Sequence, residues 1–149
     1  MAVLQGTDKK ILNILVDNSR LSLRQIAKKA GVSVATVMHH IKRMEKEGTI
    51  KKYTTRLDYE KIGYDVEAIV EIRISKGKLF EIERKIAVHP NVFAVYDTTG
   101  AFDAMVLARF PTRRQMDNFL KKLQAYEFVE RTETKIILNT IKEEGIGVV

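Results

Sequence analysis

The stretch "SLRQIAKKAGVSVATVMHHIKRMEKEG" (residues 22–48) decides how the first part of the chain folds. Ser22, followed three residues later by Gln25, forms a capping box, so a helix begins there and packs Leu23, Ile26, Ala27 and Ala30 inward. Gly31 supplies the left-handed residue that closes this helix, and Ser33 caps another almost at once. Two short helices joined by a tight glycine turn make a helix-turn-helix. At about 100° per residue, Val37, Ile41 and Met44 fall within roughly 60° of one another, with Val34 at their edge, and this stripe must face the other helices. Ala35, Thr36, His39, Lys42, Arg43 and Lys46 then point away, and His40 lies at the border. Small and hydrogen-bonding residues come first and cations follow, as a helix needs if its leading half enters a major groove and its later cations meet phosphates.

Working outward, Thr7 or Asp8 opens an earlier helix carrying Ile11, Leu12, Leu15 and Val16, which "DNSR" (residues 17–20) ends. After Gly48, "TIKKYTTRLD" (residues 49–58) alternates enough to predict a strand pair, or wing, with Lys51, Lys52 and Arg56 within reach of phosphates; Arg24 joins them from the second helix. The charge supports a polyanionic partner. Of the net +7, residues 1–60 hold 12 Lys/Arg against 6 Asp/Glu, and residues 61–149 hold 14 against 13. This asymmetry points to double-stranded DNA as the partner of the first part and to another task for the second.

The neighbouring histidines raise the question of a metal. Adjacent helical residues diverge by about 100°, whereas helical ligand pairs need a spacing of four, and the chain has no cysteine, so no metal site is predicted. His39 is expected at the groove together with Ala35, Thr36 and Arg43, while His40 suits a partly buried hydrogen bond as well as a phosphate contact. Zero cysteines and apolar runs far shorter than the ~20 residues of a membrane span lead us to expect a cytoplasmic, nucleoid-associated protein with no membrane partner.

From Val66 the period changes. "VEAIVEIRI" alternates as a strand, and "KLFEIERKIAVH" places Leu79, Ile82 and Ile86 at helical spacing. Strand-like runs follow over residues 92–99 and 102–110 around Gly100; Thr112 and Gln115 cap another helix, and residues 128–141 read as one long last strand. The order βαββαβ predicts a ferredoxin-like plait, an antiparallel sheet with both helices on one face. The α+β chain therefore divides into a winged helix-turn-helix over residues 1–52, a linker strand over 53–64 and a ferredoxin-like domain over 65–149. "DAMVLARF" and "KIILNTI" carry apolar residues on both sides of their strands, which calls for a second copy to cover the open face.

Asp103, just after the Gly100 turn, could attract an ammonium, while turn amides and the hydroxyls of Thr132 and Thr134 could hold a carboxylate; a turn aspartate and strand-favouring threonines would look the same. No nucleophile with a base, metal cluster or phosphate loop is legible, so no catalysis and no cofactor are expected.

"DKKILNIL", "LRQIAKKAGVSVATVMHHIKRMEKEGTIKKY", "LDYEKIGY", "TTGAFDAMVLARF" and "ERTETKIIL", in this order, resemble the leucine-responsive/asparagine-synthetase regulator (Lrp/AsnC, feast/famine) family over essentially the whole chain. The resemblance implies a DNA-binding transcriptional regulator forming homodimers and often octamers, with a small amino acid bound at the interface between the second domains. It also implies that Gly100, Phe102 and Asp103 match the family's glycine-x-aromatic-aspartate turn and that Thr132 and Thr134 match its last strand. Many relatives carry arginine where this chain has His40, so the sequence preference of relatives does not transfer. An effector-independent architectural protein that compacts DNA is the alternative.

Overall fold

A computed structural model describes residues 4–75 and 77–149, in two compact units: Met1–Arg56 with Lys142–Val149, and Leu57–Ile141. The first unit thus takes in the closing segment, which the sequence assigns to the ferredoxin-like domain.

The first unit contains α1 (Gly6–Asp17), α2 (Leu23–Ala30) and α3 (Val34–Lys46). Their apolar stripes converge on Ile11, Leu12, Ile26, Ala27, Ala30, Val37, Ile41 and Met44, all buried. The capping residues act as the sequence predicts: Ser22 Oγ accepts from the Gln25 N–H at 3.3 Å, and Gln25 Oε1 accepts from the Ser22 N–H at 2.8 Å. Gly31 takes φ +72°, and Ser33 Oγ accepts from the Thr36 N–H at 3.0 Å. Helix α1 starts earlier than expected, at Gly6, because Asp8 Oδ2 accepts the Gln5 N–H at 2.8 Å and so satisfies the helix entry.

No strand forms over residues 49–58, and the predicted linker strand is instead an irregular segment with a single 3-10 turn at Glu60–Ile62. The alternation there has no ladder partner among the described residues, and residues 51–58 are exposed on both sides. The segment is nonetheless anchored: the Ile50 N–H donates to the Met44 carbonyl at 3.1 Å, and the Tyr53 hydroxyl donates to Glu45 on α3 at 2.9 Å.

In the second unit, β1 (Val66–Ile74), α4 (Leu79–Ala87), β2 (Val92–Asp97), β3 (Ala104–Phe110), α5 (Arg113–Gln124) and β4 (Val129–Ile136) form an antiparallel sheet of order β2-β3-β1-β4. One face packs Val70, Ile72, Val106 and Phe110 against Ile82, Ile86, Phe119 and Leu123 of the two helices. The Phe110 and Phe119 rings lie 5.3 Å apart. The opposite face carries half-buried Ile69, Met105 and Leu107 among charged residues, so it is less uniformly apolar than "DAMVLARF" and "KIILNTI" imply. Strand β4 ends at Ile136 rather than at residue 141, leaving Leu138 and Ile141 exposed beyond it. Arg109 fastens the entry to this unit: its guanidinium lies 4.4 Å from the Tyr59 ring and 3.9 Å from the Phe93 ring, and Nε donates to Glu67 at 2.9 Å.

Candidate nucleic-acid interface and ligand cavity

The surface of α3 that faces away from the first unit's core is built as the periodicity requires. Ala35, Met38, His39 and Lys42 are exposed, and Thr36 is half-buried with its hydroxyl 2.8 Å from Ser33 Oγ. Arg24, Lys51 and Lys52 are exposed in the same unit. Among the described residues no His, Asp or Glu cluster could hold a metal.

His40 takes the partly buried hydrogen-bonding setting that was one of its two expected roles, whereas Arg43 has a different setting from the one expected of it. Asp8, on α1 and fully buried, accepts from Arg43 Nη2 at 2.6 and 2.7 Å and lies 2.6 Å from His40 Nδ1. Burial alone would raise the Asp8 carboxyl, but the hydrogen bonds from Arg43, His40 and the Gln5 N–H outweigh it and hold the pKa at about 2. The carboxylate is therefore ionised, and it requires the His40 proton on Nδ1. Arg43 also approaches Glu47 at 3.9 Å. These two side chains tie α3 to α1 rather than extending freely from it, a pairing the 3.6-residue period cannot reveal because it joins residues 32 and 35 apart.

On the open face of the second unit lies a depression of about 730 Å³ lined by Glu71, Asp97, Thr98, Thr99, Ala101, Phe102, Met105, Glu133 and Lys135. Of the residues expected to hold an effector, Phe102 lines it. Gly100 shapes the adjacent turn with φ +114°. Asp103 accepts the Ile74 N–H at 2.8 Å, at the irregularity between Arg73 and Ile74, with Arg73 Nε 3.7 Å away. Its carboxylate thus serves a backbone group that the β1–β4 ladder leaves over.

Thr132 and Thr134 are not brought to the cavity. They pair with Ile72 and Val70, so they share the helix-covered face, and Gln124 of α5 donates to Thr132 Oγ1 at 3.0 Å. The residues that reasoning from sequence missed are Glu71, Glu133, Lys135 and Asp97. Lys135 bonds Glu71 and lies 3.5 Å from Glu133, while burial and then the charge of Asp97 push the nearby Glu83 carboxyl upward. Three carboxylates against one ammonium make the cavity acidic. The trace of Glu71, Glu133 and Lys135 in the sequence was a charge at alternate positions of β1 and β4, and Asp97 stood at the end of β2.

Residues 4–51 match a family model described as winged helix-turn-helix DNA-binding, and residues 67–146 match the Lrp/AsnC ligand binding domain. The chain is 43% identical over 142 residues to an HTH-type transcriptional regulator of Pyrococcus abyssi, with 95% of this chain and 97% of that one covered. It is 36% identical to the HTH-type transcriptional regulator FL11 of Pyrococcus furiosus, covering 95% of this chain and 93% of that one. The fold is that of a Neisseria meningitidis transcriptional regulator solved as a complex with L-methionine, with a TM-score of 0.87 at 23% identity, covering 95% and 94% of the two chains.

Proposed function

Since this chain belongs to the Lrp/AsnC family of transcription regulators, which are not enzymes, we propose that it binds duplex DNA sequence-specifically and that a small amino acid modulates that binding. The observation that carries the first half is the row along α3 of exposed Ala35 and His39 with half-buried Thr36, in the unit that also displays Arg24, Lys51 and Lys52. In this reading the row enters the major groove and the cations meet phosphates. Arg43 and His40 contribute mainly by holding α3 in place through Asp8. If each half of a dimer neutralises several phosphates, raising salt from about 50 to about 200 mM weakens DNA binding on the order of 10³-fold or more. Titration of labelled duplex at both salts tests this, and an unchanged affinity overturns it.

The second half rests on the acidic cavity, where carboxylates outnumber the ammonium and so favour a ligand's amino group. The methionine bound by the Neisseria protein supports an amino acid as the ligand class. Gly100 and Asp103 act by shaping the turn beside the cavity, and Phe102 by forming its wall; Thr132 and Thr134 act through α5. A second copy covers the open sheet face, giving a homodimer or a higher assembly such as an octamer, and the ligand favours one arrangement of subunits. Calorimetry with the twenty amino acids is expected to find at least one that binds below millimolar; none binding defeats the effector reading and leaves an effector-independent architectural protein. No helix among the described residues is long and apolar enough to cross a membrane, and a cytoplasmic, nucleoid-associated role suits this function.

A further inference from the structure

Residues Lys142–Val149 follow β4 in the chain yet belong to the first unit. They are held there by Asn13 of α1 at both backbone groups of one residue. The Val148 N–H donates to Asn13 Oδ1 at 2.7 Å, and Asn13 Nδ2 donates to the Val148 carbonyl at 3.0 Å. A carboxamide used this way imitates the edge of a strand, offering one donor and one acceptor side by side.

The fit around this clamp is steric. A Cβ at Gly145 would stand 3.0 Å from Val16 Cγ1, and a Cβ at Gly147 would stand 3.3 Å from Asn13 Oδ1. The segment therefore runs so close to α1 that a Cβ at either of two alternate positions would require Val16 or Asn13 to give by a few tenths of an ångström. Val148 packs against the core cluster of the first unit, and Glu143 lies 3.5 Å from Arg56. A hollow of about 450 Å³, lined by Leu12, Leu15, Val16, Ile50 and Gly145, lies against the segment. A chain end resting loosely on a surface would need neither the paired amide bonds nor glycine at both close approaches.

We propose that the outer surface of α1, centred on Asn13 and Val16, is a peptide-binding site whose occupant is this chain's own residues 142–149. The site selects an extended segment with glycine at alternate positions and a small aliphatic residue next to the second glycine. The chain then passes between its two units twice, at Arg56/Leu57 and at Ile141/Lys142.

The sequence contains no cysteine, so an engineered pair reports without background. In the full chain carrying Val16→Cys and Gly145→Cys, the 3.0 Å approach matches the separation of about 3 Å between a Cβ and the far sulfur of a disulfide. Mild oxidation is expected to give an intrachain disulfide running at monomer mass on a denaturing gel. It should form about tenfold faster than in a Val16→Cys, Ile146→Cys control, Ile146 being 87% exposed. Equal rates, or a disulfide joining two chains, overturn the proposal. Hydrogen exchange on the unmodified protein gives a second reading: the Val148 amide should exchange at least tenfold more slowly than that of Ile146. Asn13→Leu should abolish that difference while leaving the Ile11 amide protected, and a Val148 amide that exchanges as fast as Ile146 in the unmodified protein also defeats the proposal.

Discussion

Asp8 is a buried carboxylate whose neighbours are Arg43, expected to reach outward to DNA, and His40, expected either there or in a partly buried hydrogen bond. Its removal leaves Arg43 and His40 without their shared acceptor, and Asp8→Ala is expected to cost about 2–3 kcal/mol in urea denaturation. The pH dependence has a definite sign. The folded carboxyl titrates at about 2 against an ordinary value of 3.8, so its stabilisation is full above 3.8 and fades as pH falls toward 2. Between pH 5 and pH 2.5 the parent protein should therefore lose more stability than Asp8→Asn; equal losses would show that the carboxylate is not carrying this linkage. Arg43→Ala should weaken DNA binding evenly across duplex sequences, because its guanidinium is engaged with Asp8; a change of preference at one base position would instead make it a reader. The sequence alone placed Asp8 no further than a possible helix start, since nothing local announces a partner more than thirty residues away.

Among the elements, the capped starts of α2, α3 and α5 and both ends of β1 were legible, and the end of β4 was not. Ser22, Ser33 and Thr112 each accept the backbone N–H three residues on, as a cap read from local sequence should. Ser33→Ala is expected to cost about 1 kcal/mol, measured by thermal or chemical melting, with α3 fraying first. Gly31→Ala should cost a similar amount: the added methyl meets nothing within 4 Å, and the whole penalty is the left-handed backbone at φ +72°. A strand, in contrast, lasts only as long as its partner. Strand β4 stops at Ile136 because its pairing partner β1 begins at Val66, with the Ile137 N–H to the Glu67 carbonyl as a last bond at 2.9 Å. Residues 49–58 alternate just as persuasively and have no ladder partner among the described residues, so alternation over-predicted both segments. The same dependence on register explains Thr132 and Thr134: a slip of one residue exchanges the faces of a strand, and the β1–β4 register sets both on the helix-covered face.

For the whole molecule, the order βαββαβ was enough to predict the plait, and the charge asymmetry enough to locate the unit for DNA; the acidic cavity needed the folded sheet to assemble it. The open face with Ile69, Met105 and Leu107 leads to a further expectation. Leu107→Glu should shift the assembly to monomers in sedimentation equilibrium while leaving far-ultraviolet dichroism unchanged, and an undisturbed oligomer would remove that face from the contact. The two outer strands of the sheet bear on how copies can meet. Strand β2 is irregular between Val92 and Ala94, and β4 presents Arg131, Glu133 and Lys135 in alternation. Such borders repel a foreign strand seeking to zip on laterally. Lateral growth into fibres is thereby disfavoured at the step where a first foreign strand would have to pair.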